Sequence, residues 1–518
     1  MDNLEKEYTK MHKEADVYTD TAADYSLPDY NGDIKKVLYT AATVLPAAGY
    51  NDGDSVSCAG VVSYDMIYLN SENELDRINF TSEYDVNSRI KADEILDFDI
   101  TTRVANLSHR LFGPRRVNMK ATLQSEIRCV EKATAVGGMD ILENSDAECI
   151  VKYIDIATNR FAHSGEREYA ECIARLDEVL PEEIEVLHTS SCYKIDDIKC
   201  EQDGALVRGE ILVSAVVRCE GEAPTLYKKE IPFEEFVEAE NIAEYKTVLA
   251  AVNVSSLVAE TILTEEGAAV NVSLICNYSL SASTNKELSF VKDAFLKSCG
   301  CEAHYESISY NTVLGNERRT LTKSHTMPIS DLTDAAVRSV VYMAANARVS
   351  GILIEEDFAT VGVDIKLNGI CTSVDNEGEL GYFAVKTSCE QSEKVNFGCQ
   401  IPENTVVECR ARVIDCVAYV DEENLYIDVT YELSADATAS KSTSYVSELH
   451  AIEGKEFKKK AACITVYYPT AEESLFDVAR AYHTSVREIA EANMLSESAV
   501  NSFDTSDSLA GVKKLIIK

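Results

Sequence analysis

Nine residues near the start of the chain, IKKVLYTAA at 34–42, return in the last third as VRSVVYMAA at 337–345. No other feature restricts the fold as much, because a sequence that recurs at a long interval folds as a recurring unit. Ile34, Val37, Leu38, Ala41 and Ala42 fall at i, i+3, i+4, i+7 and i+8, and Val337, Val340, Val341, Ala344 and Ala345 keep that spacing. The spacing predicts one face of a short helix, with Asp33 as its N-cap. Tyr39 and Tyr342 fall in register. A weaker copy, EVLHTSS at 185–191, lies midway and sets a period of about 150 residues.

A long period-2 stretch follows each copy: DSVSCAGVVSYDMIYL at 54–69, LVRGEILVSAVVRC at 206–219 and TVGVDIKLNGIC at 360–371. Strict alternation marks strands with one face buried. A second alternating run closes each unit, as RVNMKATLQSEIRC (116–129), AVNVSLICNYSL (269–280) and LYIDVTYEL (425–433). Turns at Asp52-Gly53, Asp203-Gly204 and 422–424 read as hairpins. The expected class is mainly β with short helices (α+β): three repeated antiparallel β-sheet units followed by a βααβ module. The implied boundaries are a helical N-terminal segment at 1–30, units at 31–180, 181–325 and 326–450, a linker at 451–462 and a module at 463–518.

Charge narrows the partners. The chain carries 88 acidic and 49 basic residues, a net charge of −39, which repels nucleic-acid phosphates and anionic lipid. The first residues, MDNLEKEYTKMHKEAD, lack the apolar core of a signal peptide, and no apolar run is long enough to insert in a membrane. A cytoplasmic protein is therefore expected. Its 16 cysteines read as small buried hydrophobes rather than disulfide partners, as at Cys58, Cys129, Cys276 and Cys371.

The C-terminal segment has a different grammar. ITVYY is followed by two helix starts, Ser474 with Asp477 and Ser485 with Glu488, each the pattern of a capping box. The predicted apolar faces are Leu475, Val478, Ala479 and Tyr482, then Val486, Ile489, Ala490 and Asn493, before a closing strand KKLIIK.

These residues resemble a LysM domain. The family's loop Gly-Asp-Thr-Leu stands here as Glu472-Glu473-Ser474-Leu475, its Ile-x-x-x-Asn as Ile489 and Asn493, and its closing strand as Leu515 and Ile517. LysM domains bind N-acetylglucosamine-containing glycans such as peptidoglycan through the first loop and the loop after the second helix. The resemblance thus implies a binding surface of Glu472, Glu473, Ser474, Leu475, Asn493, Met494 and Leu495. Glutamates in place of Gly-Asp remove backbone freedom and add charge, which favours a protein partner over a glycan.

The three units resemble the SPOCS domain of clostridial spore formers, in PDYNGDIKKVLYTAATV (28–44), ELDRINFTSEY (74–84) and SFVKDAF (289–295). SPOCS units ahead of a LysM module imply a mother-cell factor of spore coat assembly whose partner is a SpoIVA-like ATPase. The alternative implied by the LysM resemblance is a peptidoglycan-binding protein of cell wall or spore cortex.

Chemistry-bearing motifs are scarce. The sequence has no phosphate-binding loop, zinc-protease motif, nucleophile elbow or paired CxxC. Cys299-Gly300-Cys301 reads as a turn with incidental thiols, His483 as a solvated turn residue, and Arg115-Arg116 as a charged hairpin turn. No catalytic residue, metal site or cofactor is expected.

Overall fold

The computed structural model describes residues 5–29, 31–53, 55–90, 94–136, 138–333, 335–374, 380–421, 423–457 and 464–518. The protein is mainly β and its sheets are antiparallel. Six strands come first: β1 (Glu5–Ser26), β2 (Lys36–Asn51), β3 (Ser55–Leu69), β4 (Leu75–Arg89), β5 (Ile95–Gly113) and β6 (Arg116–Val136). A one-turn helix α1 (Met139–Glu143) leads to β7 (Ala147–His163) and β8 (Arg167–Asp177). Then come β9 (Ile184–Cys200), β10 (Gly204–Cys219), β11 (Thr225–Glu238), β12 (Thr247–Leu263) and β13 (Gly267–Leu296). The last long strands are β14 (Cys299–Pro328), β15 (Ala336–Ile354), β16 (Ala359–Val374), β17 (Leu380–Val395), β18 (Thr405–Val420) and β19 (Asn424–Glu456).

One connectivity occurs three times. Three consecutive strands form a meander, as β2-β3-β4, β9-β10-β11 and β15-β16-β17. The next two form a hairpin whose second strand is central, flanked on its far side by the strand that precedes the meander: β1-β6-β5, β8-β13-β12 and β14-β19-β18. Each meander packs face to face on its hairpin sheet. In the first pair Val62, Tyr64, Met66 and Tyr68 of β3 share a core with Val117, Met119, Ala121 and Leu123 of β6. In the second, Val207, Ile211 and Val213 of β10 share one with Val272, Leu274 and Cys276 of β13. In the third, Val361, Val363 and Ile365 of β16 share one with Ile427, Val429 and Tyr431 of β19. These are the alternating faces expected of half-buried strands, and each large side chain so buried contributes about 1.5–3 kcal/mol. Cys58, Cys129, Cys276 and Cys371 are buried among them, and burial pushes the last three thiols up to about 12.

Two expectations are corrected. The N-terminal segment is not helical: residues 5–26 are strand β1, paired with β6 from end to end. The runs 34–42, 185–191 and 337–345 form no helix either, for they lie on the first meander strands β2, β9 and β15 or lead into them. Each of these strands carries a β-bulge at the same repeat position. Val37 pairs with Tyr68 and Tyr39 with Ile67, which leaves Leu38 out of register. Leu187 is skipped between Val186 and His188, and Val341 between Val340 and Tyr342. A bulge sets two residues against one and interrupts period-2 alternation. Leu38 and Tyr39 therefore enter the same cluster, as do Val341 and Tyr342. Two adjacent apolar residues within an otherwise polar-apolar strand give the i, i+3, i+4 spacing of a helix.

The bulges gather the three sandwiches. Leu38, Leu187 and Val341 form one buried cluster with Ile67, Val216 and Ile370 of the central meander strands. Ion pairs and hydrogen bonds also cross between units. Arg77 donates to the Val186 carbonyl, Lys228 pairs with Asp415 at 2.6 Å, and Arg410 pairs with Glu126 at 2.5 Å. Arg115, expected in a solvated turn, is held by Asp33 at 2.7 Å and by the Pro28 and Asn31 carbonyls.

Candidate functional site

The C-terminal segment begins with β20 (Thr465–Tyr467) and ends with its antiparallel partner β21 (Leu515–Ile517). Between them lie α2 (Leu475–Tyr482), α3 (Val486–Asn493) and the short α4 (Glu497–Asn501). Both predicted capping boxes form. The Ser474 hydroxyl accepts from the Asp477 N–H, and the Ser485 hydroxyl accepts from the Glu488 N–H. Leu475, Phe476, Val478, Ala479, Val486, Ile489 and Ala490 bury against Leu515 and Ile517. Tyr482, expected on the buried face, is 37% exposed; Phe476 takes that role instead.

Phe476 is buried because the segment is seated on the body. Its ring meets Phe295 of β13 edge-on, centroids 5.2 Å apart, and Ile150 of β7 joins the same cluster. Arg480 pairs with Asp293 and lies over the Phe476 ring, 4.9 Å from its centroid. The Val486 N–H donates to Glu148 at 3.2 Å, and burial holds that carboxyl above its ordinary value. His483, expected in a solvated turn, is exposed yet stacks on Phe457 with centroids 3.4 Å apart. Cys299 and Cys301 line a crevice beside it, and the Leu296 N–H approaches Cys301 Sγ at 3.4 Å.

The seven residues predicted as a binding surface divide by what holds them. Glu473 accepts from the Tyr467 hydroxyl at 2.5 Å and from the Thr470 N–H at 2.8 Å. These bonds keep its carboxyl below the usual range and push the Tyr467 phenol up to about 12. Ser474 is committed to its capping box, and Leu475 is fully buried with its N–H on Ser508 Oγ. Asn493 is a clamp. Its Nδ2 donates to the Ile489 and Ile516 carbonyls at 2.8 and 2.7 Å, and its Oδ1 accepts from the Ile516 N–H at 2.6 Å. Leu495 packs at the margin of the core. Glu472 and Met494 remain outward, Met494 at 94% exposure and in the left-handed region, φ 52°. Of the seven, only Glu472 and Met494 have exposed side chains, with the others engaged within the segment.

A second convergence of polar groups lies where the three bulges meet. Tyr39, His188 and Tyr342 meet edge to face around one point, centroids 4.7–5.4 Å apart. His188 Nε2 and Ser190 Oγ lie 3.2 and 3.1 Å from the Tyr342 hydroxyl. Asp65 lies 3.9 Å from His188 Nδ1, which has no hydrogen-bond partner among the described residues. Burial drives the histidine below its ordinary value and both phenols above theirs. The sequence signalled Tyr39 and Tyr342 by their register; His188 occupies the same position in the weaker copy.

No group of His, Cys, Asp and Glu among the described residues could hold a metal ion, and no described helix is long and apolar enough to cross a membrane. No protein-family model matches the chain, and no curated protein or solved structure matches it either.

Proposed function

We propose that the chain is a non-enzymatic assembly factor of the spore envelope. In this reading three SPOCS-like units form the body, and the C-terminal LysM-like module binds a SpoIVA-like coat-morphogenetic ATPase. The setting is the mother-cell cytoplasm at the forespore surface. The observation that best supports it is Met494, a large apolar side chain at 94% exposure on a helix-capping turn. Holding a methionine in the left-handed region costs about 1 kcal/mol relative to glycine, so its place at that tip favours a contact over a purely structural cap. Methionine is also a side chain that adapts to protein surfaces.

The glycan-binding alternative is less well supported. A groove for sugar needs polar groups free to turn toward it, whereas Glu473 and Asn493 are engaged within the module. The test is a pull-down of the full chain, wild type and Met494→Asp, Glu472→Lys double variant, on purified SpoIVA-like ATPase and on insoluble peptidoglycan. Retention on the ATPase that the double variant loses supports the assembly reading. Retention on peptidoglycan alone refutes it.

A further inference from the structure

The outer faces of the three hairpin sheets border a partly open cavity of about 300 Å³. Its walls come from all three sandwiches: β1 and β6, β7 with β12 and β13, and β14 with β18 and β19. Outward-facing positions of a sheet are ordinarily solvated, and here three such faces meet instead. Asn159, Thr247, Ser281, Ser283 and Thr438 line the space, and none of their side chains hydrogen-bonds to another described residue. Five half-buried polar side chains without protein partners line one partly open volume. A cavity of this size with several polar groups on its wall suits a small polar molecule.

The charges around the cavity give the ligand its sign. Lys13 pairs with Glu408 at 2.7 Å and with Glu126 at 3.5 Å. Arg128 pairs with Asp99 at 2.5 Å, and Arg410 with Glu126 at 2.5 Å. Each cation is thereby matched. Asp436 is the remaining carboxylate on the cavity wall, and it makes neither an ion pair nor a hydrogen bond among the described residues. Burial and the Glu408 charge raise its affinity for a proton, against the opposing fields of Arg410, Arg128 and Lys13. A desolvated carboxylate with no direct ion pair, beside cations already paired to other carboxylates, leaves one negative charge to be met by a cation.

We propose that this cavity binds a small hydroxylated amine, with the ammonium on Asp436 and the hydroxyls on the Ser, Thr and Asn side chains. Bound there, the molecule touches all three sandwiches and ties them together.

Glucosamine and glucose test this directly, since they share a hydroxyl pattern and differ in the amine. Titration calorimetry and thermal unfolding use the full chain at neutral pH, where the amine is still largely charged and the raised proton affinity of Asp436 does not discharge the carboxylate. A charge-assisted hydrogen bond of about 1.5–3 kcal/mol corresponds to roughly tenfold to hundredfold tighter binding of glucosamine. Wild type is expected to show saturable glucosamine binding, a raised unfolding midpoint and that preference over glucose. Asp436→Asn should abolish the preference, and Ser281→Val with Asp436 intact should weaken both sugars. Two variants keep the test valid if one fails to fold. No saturable binding, or an amine preference that survives in Asp436→Asn, overturns the proposal; the latter places the ligand elsewhere on the chain.

Discussion

Tyr39 and Tyr342 meet edge to face, ring centroids 5.4 Å apart with planes at 90°, although they lie in the first and last units of the body. Each follows a bulged residue, Leu38 or Val341, on the opening strand of its meander. The contact itself is worth about 0.5–1.5 kcal/mol beyond the area it buries. Its consequence is larger than its energy. Three bulges at one repeat position turn three adjacent pairs of side chains toward a common centre, so the three meander sheets share a core.

That shared core should be measurable as coupling. Leu38 and Leu187 are at most 1% exposed and belong to one cluster, but they come from different units. Each Leu→Ala change should cost about 2–5 kcal/mol. Residues in contact within one cluster usually couple by about 0.5–3 kcal/mol in a double-mutant cycle. Urea unfolding of both single variants and the double variant gives the coupling term. Strict additivity would mean that this cluster does not couple the first two units.

His188 makes the same centre sensitive to acid. Burial and the nearby Arg77 charge depress its proton affinity, while Asp65 opposes them from 3.9 Å; Tyr39 and Tyr342 face it as neutral phenols. A histidine with a lowered folded value takes up its proton more readily when unfolded. Its contribution to stability is therefore complete above the ordinary histidine value, about 6.5, and is lost as pH falls below it toward the folded value. His188→Phe removes this component and leaves the Tyr342 hydroxyl within reach of Ser190. Urea midpoints between about pH 7 and about pH 5 should fall more steeply for wild type than for the variant. Parallel slopes would exclude His188 as the source.

The strands were legible because their period is simple. Val117, Met119, Ala121 and Leu123 alternate with polar residues and are all fully buried. The repeat register was legible for Tyr39 and Tyr342, and the capping boxes at Ser474 and Ser485 formed where their spacing placed them. The bulges were not, because one unpaired residue in a strand leaves the same apolar spacing as a helical turn. The long β1 strand was hidden for another reason. Its sequence is charged and weakly alternating, and it gains its conformation from pairing with β6. Nor did a one-dimensional pattern distinguish Asn493, which clamps β21, from Met494, which faces outward.

That distinction is testable in stability alone. Asn493→Ala removes three hydrogen bonds and leaves the Ile516 N–H and carbonyl without their partner, so it should destabilise the C-terminal module by about 1–3 kcal/mol. Met494→Gly relieves the left-handed backbone and should stabilise it by about 0.5–1 kcal/mol. Hydrogen exchange of α3 amides reports both changes. If Asn493→Ala leaves α3 protection intact, the clamp has no energetic role. The outcome also governs binding experiments, since a loss on Asn493→Ala then reflects unfolding and a loss on Met494→Gly does not.

The seat of the module on the body rests on Phe295. It is 4% exposed, it contacts the Phe476 ring, and Arg480 lies over both aromatic faces at 5.8 and 4.9 Å. Phe295→Ala removes the body's aromatic half of this contact and should cost about 3–5 kcal/mol at the junction. The module's own core, centred on Leu475, Val478, Ile489 and Leu515, does not depend on that ring for its helix-to-strand packing. The expected result is a module that stays folded but tumbles on its own, with sharpened amide resonances for residues 464–518. The Arg480–Asp293 pair alone should not hold it, because a partly exposed ion pair contributes about 0–1 kcal/mol. Asp293→Asn should therefore leave the module seated and its resonances broad. Sharpened resonances in Asp293→Asn and broad ones in Phe295→Ala would reverse the assignment and make the ion pair the anchor.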